Sequence, residues 1–320
     1  MLIAGPQGFG EFAPFDDYPD WAAGRWLGCA IEAAFGQWPA AVHSEVSSNA
    51  IIPDAPLDEA LAMVRTAVAE LGCTVLKVKV GGDPADDVAR IERIVAALDA
   101  ELGHGQGALR VDVNGAWDAA TAITALRAIA EAADGRLEYA EQPCANLDDL
   151  ALVRERAGVR IAVDEPVRRA IDPHDPVLVR AVRDSADVLV LKAAPLGGVR
   201  AALDVAAGYR LPVVVSGSLD SSVGLAPSIA LAAALPDDRP SGLATGALLA
   251  TDLVESPTLP VHGRITVGRR WPDPDCLALA RSRLDPERVQ WWQRRLLAAW
   301  TAAGARQQQR WQDMIGPDHG

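Results

Sequence analysis

Val75-Leu76-Lys77-Val78-Lys79-Val80 reads as a short buried strand, β-branched and aliphatic residues framing two amines. An Ala- and Arg-rich stretch of helical period, 84–98, follows it, and this strand-then-helix unit repeats. Apolar runs recur roughly every 25 to 30 residues, at 48–52, 75–80, 109–113, 137–140, 160–163, 188–191, 213–215 and 242–244. Helical periodicity marks 57–71, 119–133 and 147–157 between them. Eight such units in about 200 residues is the count of a closed parallel α/β barrel of the TIM type. An open doubly wound sheet is the rival, but that fold carries a Gly-rich loop after its first strand, and Ile51-Ile52-Pro53-Asp54 is not one.

Two segments fall outside the repeat. Residues 1–47 are aromatic- and Gly-rich, with Gly8-Phe9-Gly10-Glu11-Phe12, Pro14-Phe15 and a helix-like stretch over 21–35. Beyond the eighth unit, 252–268 reads as irregular chain with short strands, and Asp285-Pro286-Glu287 opens a helix with an N-cap and a first-turn proline. Its Trp292, Leu296 and Ala299 stripe reads as packing. The expected division is a barrel over 48–250, flanked by capping parts at 1–47 and 251–320.

The chain has 320 residues, 50% apolar and 23% charged, with a net charge of −13. Such an excess of acid argues against nucleic acid as a partner, and an anionic substrate needs local cations or a metal to dock. The four cysteines have no CxxC spacing, so neither a zinc site nor a disulfide framework is indicated. No charged n-region precedes Arg25, and the longest apolar stretch, 223–235, is interrupted by Pro227 and is too short for a bilayer. A cytoplasmic protein with no membrane partner is the expectation.

Lysine is scarce: Lys77, Lys79 and Lys192 are the only three, against twenty-seven arginines. Lys77 and Lys79 are two apart on a strand and share a face. Facing outward they would bury two ammonium groups against helices, so they are expected to face into the barrel near its C-terminal mouth. Adjacent ammonium groups lower each other's pKa, which makes a lysine a usable base near neutrality. The next three strands each end in an acid: Asp112, Glu141 and Asp164. A strand-end acid can simply cap the next helix. Neighbouring strands would bring these three together, however, and two carboxylates about 4 Å apart repel by roughly 4 kcal/mol at an effective dielectric near 20. A cation is therefore expected, and an all-oxygen ligand set selects Mg²⁺, with Mn²⁺ as the alternative. Lys192 ends the sixth strand, across the barrel. Amines on facing walls with a metal between them suit proton abstraction α to a carboxylate.

This constellation resembles the enolase superfamily, in its muconate-lactonizing subgroup, over residues 8 to 268. The resemblance implies a modified (β/α) barrel with a small α+β capping domain whose N-terminal part is expected to be truncated, because Met1 falls almost on the Gly-Glu-Phe segment. It also implies roles. Lys79 would be the base and then the acid, Lys77 would tune it, and Lys192 would stabilise an enediolate from the opposite face. Asp112, Glu141 and Asp164 would hold Mg²⁺, with Asn114 and Glu165 behind them. Gly10-Glu11-Phe12-Ala13-Pro14-Phe15, Arg110-Val111-Asp112-Val113-Asn114 and 216–225 resemble the subgroup's dehydratases. These form 2-succinylbenzoate by syn elimination in menaquinone synthesis. An N-succinylamino acid racemase or dipeptide epimerase would use the same lysines as opposed bases. Arg110, Asn114, Gly197, Ser216 and Ser218 are the expected contacts to the small carboxylate substrate, Gly197 and the serines through backbone donors. Phe9–Phe15 is the expected lid.

Overall fold

The computed structural model describes residues 1–316. Along the chain run β1 (Leu2–Gly5), β2 (Gly8–Glu11), α1 (Asp20–Phe35), β3 (Glu45–Ser47), β4 (Ala50–Ile52), α2 (Leu57–Ala69), β5 (Val75–Lys79), α3 (Pro84–Leu102), β6 (Ala108–Asp112), α4 (Ala119–Ala132), β7 (Leu137–Glu141) and α5 (Leu147–Arg156). Then follow β8 (Ile161–Val163), α6 (Glu165–Arg168), α7 (Pro176–Ser185), β9 (Val188–Leu191), α8 (Ala193–Leu196), α9 (Val199–Tyr209), β10 (Val213–Val215), α10 (Ser222–Ala234), a 3₁₀ turn (Ala244–Leu248), β11 (Arg264–Thr266), α11 (Pro274–Ser282), α12 (Pro286–Ala302) and α13 (Gly304–Ile315).

Strands β4 to β10 form one parallel seven-stranded sheet in sequence order. The eighth unit differs from the strand expected at 242–244. Only Ser241 and Gly242 pair, Ser241 with Ser48 and Gly242 with Ser216, and Ala244 already begins the 3₁₀ turn. These two residues still close the ring: Gly242 N donates to Val215 O (2.8 Å) and Asn49 N to Ser241 O (2.9 Å). Pro240, just before them, has no N–H to add to a ladder.

Helix starts follow from the residues after each strand. Asp83 accepts from Ala85 N, Asp118 from Thr121 N, Asn146 from Asp149 N and Asp175 from Val177 N. Each cap contributes about 1 kcal/mol. Alternation then sorts the side chains. Leu189 and Leu191 join the large core beneath the helices, whereas Tyr139, Ala162, Val188, Val190 and Val214 form a separate cluster of the opposite parity, inside the barrel. Arg110, Asp112, Glu141, Asp164 and Lys192 share that inward parity.

The flanking segments form a cap. β1 pairs antiparallel with β2, and β3 with β11. A strand therefore precedes Gly10-Glu11-Phe12. Helix α1 packs on β2, α8, α12 and α13. The lid expected at Phe9–Phe15 is instead partly strand β2, held down on α1. A Cβ on Gly10 would sit 1.9 Å from Ala30 O, and Phe12 is fully buried. Residues 12–15 continue from the strand without regular structure, and Phe15 is exposed. No helix among the described residues is long and apolar enough to cross a membrane.

Candidate active site

Register places the site. Lys79 lies opposite Asp112 across β5–β6, and Asp112 opposite Glu141 across β6–β7. Lys77 Nζ is buried 2.8 Å from Asp112 Oδ2 and 2.7 Å from Glu141 Oε1. Lys79 Nζ lies 2.6 Å from Asp112 Oδ2 and 2.6 Å from Asn114 Oδ1, with its side chain about a third exposed. On the facing wall Lys192 Nζ meets Asp164 Oδ2 at 2.8 Å. The structure thus draws all three lysines and all three acids to one end of the barrel interior.

Charge balance within the cluster is uneven. Burial alone would lower the Lys77 pKa, but Asp112 and Glu141 outweigh it and the net shift is well upward. For Lys77 this corrects the expectation of a lowered pKa, because its neighbouring acids dominate. Burial pushes Asp112 up, yet Lys77 and Lys79 together hold it well below the carboxylate range. Glu141 touches one ammonium rather than two, and burial with repulsion from Asp112 raises it to about 7. Asp164 is likewise raised, by burial first, against the pull of Lys192.

The expected convergence of three acids on one ion needs a correction. Among the described residues no three His, Cys, Asp or Glu side chains stand close enough together to enclose a metal as they are. Each acid is drawn to a cationic side chain instead, Asp164 to both Lys192 and Arg168 Nε (2.9 Å). The donor set nevertheless fits a hard divalent ion. Glu141 Oε2 is buried without a hydrogen-bond partner, Glu141 feels the repulsion of both Asp112 and Asp164, and every donor is oxygen.

Asn114 adopts φ 51°, a conformation asparagine tolerates, and links Lys79 to Glu165 Oε1 (3.3 Å). Arg110 lies one layer below Asp112. Its Nε pairs with Glu138 (2.6 Å), its Nη1 donates to Asn49 Oδ1 (2.8 Å) and Pro240 O (2.5 Å), and its guanidinium lies over Tyr139. It stitches the barrel floor and does not join the lysine cluster.

The backbone donors expected after strands six and seven are engaged within the protein. Gly197 N bonds Ala194 O, Ser216 N bonds Leu191 O and Ser218 N bonds Asp220 Oδ2. Ser216 is needed to extend pairing with β9, and the turn at Ser218 is closed by its own aspartate. Beside Lys79 a cleft of about 840 Å³ is lined by Asp54, Gly81, Gly82, Arg90, Val113 and Asn114.

Arg168 was not among the expected site residues. Its Nη2 meets Glu165 Oε1 at 2.7 Å and its Nη1 meets the Tyr18 hydroxyl, so it joins the acids to the cap. The i, i+4 spacing from Asp164 was the available signal.

The enolase C-terminal domain-like family model matches residues 59–272, and the enolase N-terminal domain-like model matches residues 1–34. The o-succinylbenzoate synthase of Thermobifida fusca (strain YX) is 46% identical over 93% of this chain and 89% of its own length. Those of Mycolicibacterium smegmatis and Mycobacterium tuberculosis are 43% and 42% identical, over 93% and 94% of this chain and 88% and 87% of theirs. The chain belongs to the o-succinylbenzoate synthase family of the enolase superfamily. As a member of that family it is an enzyme. Its fold is shared with a solved muconate lactonizing enzyme from Pseudomonas fluorescens (TM-score 0.66, 23% identity, 81% of this chain and 69% of that one). The L-Ala-D/L-Glu epimerase from Bacillus subtilis is similar too (0.64, 22%, 77% and 70%). At such identities the two structures speak for the fold alone. In this synthase-family barrel Lys79 ends the second strand, and Lys192 follows the sixth.

Proposed function

We propose that the enzyme dehydrates 2-succinyl-6-hydroxy-2,4-cyclohexadiene-1-carboxylate to 2-succinylbenzoate, a step of menaquinone synthesis. The observation that carries the reading is Lys79 facing Lys192 across three buried acids, in a chain whose relatives bear the synthase name over nearly their full length. Lys79, as the neutral amine, takes the proton α to the ring carboxylate. The C–H electron pair moves into the carboxylate to give an enediolate, with the Lys192 ammonium on the other face. Lys79, now an ammonium, returns its proton to the departing hydroxyl on the same face; the C–O bond breaks, water leaves and the ring becomes aromatic. Asp112, Glu141 and Asp164 would hold Mg²⁺ or Mn²⁺, which when bound supplies positive charge for the substrate carboxylate. Asn114 and Glu165 orient Lys79 and the acids from behind.

Amines on facing walls also favour a second reading, proton exchange at one carbon by an N-succinylamino acid racemase or dipeptide epimerase. Incubation with the cyclohexadiene carboxylate should produce the absorbance of the aromatic product. No turnover there, together with deuterium uptake at the α-carbon of N-succinyl amino acids, would replace the first reading with the second.

A further inference from the structure

Helix α1 belongs to the cap, yet one of its carboxylates ends in the barrel. Glu32 is buried, with Oε2 2.6 Å from Val199 N and Oε1 3.3 Å from Arg200 N, the first two residues of α9. The N-terminus of a helix offers unpaired N–H donors and the positive end of its dipole. Burial pushes the Glu32 carboxyl up, and the two backbone donors work against that push. The approach is tight on both sides. A Cβ on Gly198 would lie 2.2 Å from Glu32 Oε2, and one on Gly28 would lie 3.4 Å from the Gly197 carbonyl oxygen.

The segment held in this way is the turn that starts at Lys192. Lys192 is the N-cap residue of α8, and Gly198 N donates back to Ala193 O at 3.0 Å. The link from Glu32 therefore runs through Val199 and the Gly198 peptide to the residue beside Lys192. Gly197 and Gly198 have φ 99° and 123°, so they carry no side chain to limit the turn from within. Two backbone hydrogen bonds, Gly197 N to Ala194 O and Gly198 N to Ala193 O, close the turn, and Glu32 adds an anchor from outside.

We propose that Glu32 is a positioning residue for Lys192: a cap carboxylate seated in the N-terminus of α9 fixes the turn that aims the Lys192 amine into the site. The effect on rate rests on the dehydratase reading, whereas the effect on the surroundings of Lys192 does not.

The three-lysine composition supplies the test. Protein carrying ¹³C at lysine Cε gives three side-chain signals, assigned with Lys77→Arg, Lys79→Arg and Lys192→Arg. Glu32→Ala is expected to move the Lys192 signal and leave the other two in place. It should lower kcat by about 10- to 100-fold with KM changed by less than about threefold, the scale of a displaced catalytic group. Glu32→Gln keeps one acceptor for Val199 N and should restore most of that loss. Gly198→Ala, which strains the φ 123° peptide and pushes against Glu32, should move the same signal, and should move it less when combined with Glu32→Ala. If Glu32→Ala fails to fold, the Gln and Gly198 variants decide. A Lys192 signal unmoved in the folded variants, equal movement of all three signals, or a moved signal with unchanged kcat would each overturn the proposal. A wild-type enzyme without dehydratase activity would remove the function proposed above and leave the spectra to settle this one.

Discussion

At the scale of single residues the proposed mechanism concentrates the chemistry in amines that arginine cannot replace, because only an amine gives up its proton near neutral pH. Lys79→Ala and Lys192→Ala should each lower the dehydration rate by about three orders of magnitude or more, the size expected when a positioned acid–base group is lost. Circular dichroism should remain that of the folded enzyme, and a substantial rate left in either variant contradicts the assigned roles. That these two lysines and three acids share one cluster was legible because a rare residue type stood in apolar runs and the next three strands each ended in a charge. Arg110 lies in the same kind of run, but its partners Asn49, Glu138 and Pro240 come from three other parts of the chain. No local pattern reveals such a contact. Asp220 is a further buried acid, raised to about 7 by burial and by Glu11. A carboxyl with a folded pKa above its ordinary 3.8 favours the folded state only while protonated. Stability is therefore lost as pH rises from about 4 to about 7, by on the order of 4 kcal/mol at most, and is level above that. Asp220→Asn keeps an acceptor for Ser218 N. Its melting temperature should match the wild type near pH 4 and exceed it by a growing margin up to pH 7; a margin independent of pH would exclude this origin.

At the scale of elements, period and caps fixed seven of the eight expected strands to within a few residues, because each strand and helix carries its own signal. The eighth failed for a physical reason. Its pairing consists of backbone hydrogen bonds at Ser241 and Gly242, with Pro240 before and a 3₁₀ turn behind, so no alternating apolar run exists to mark its true extent. Strand β2 shows the opposite case. Its Gly10 looks like a loop residue in sequence, and in the fold it is the point where strand and helix touch. Gly10→Ala would place a methyl group against the Ala30 carbonyl and should destabilise the enzyme by roughly 1–3 kcal/mol, the usual cost of overpacking. Gly82→Ala is the matched comparison, since a Cβ there meets nothing within 4 Å. Chemical denaturation of both should separate them by their midpoints, and equal midpoints would mean that β2 does not rest on α1 as described.

At the scale of the whole molecule, the net charge of −13 and the buried acids pose one problem in two places. Surface acids are hydrated and screened, whereas Asp112, Glu141 and Asp164 face each other away from water and depend on three ammonium groups and Arg168 for compensation. That compensation is incomplete at Glu141, whose Oε2 has no partner. A ligand that binds the folded chain and not the unfolded one adds RT ln(1 + [L]/Kd) to stability, about 2.7 kcal/mol at a hundredfold excess over Kd. Magnesium should therefore raise the melting temperature in a concentration-dependent way, and a chelator should reverse the rise. Glu141→Gln removes a ligand charge and weakens the buried pair with Lys77, so the metal-free variant should melt at or below the metal-free wild type while losing most of the magnesium increment. The pair of measurements separates a cation site from general screening, because sodium chloride at equal ionic strength would act on both proteins alike. An unchanged increment in Glu141→Gln, or none in the wild type, would remove Glu141 from the ligand set.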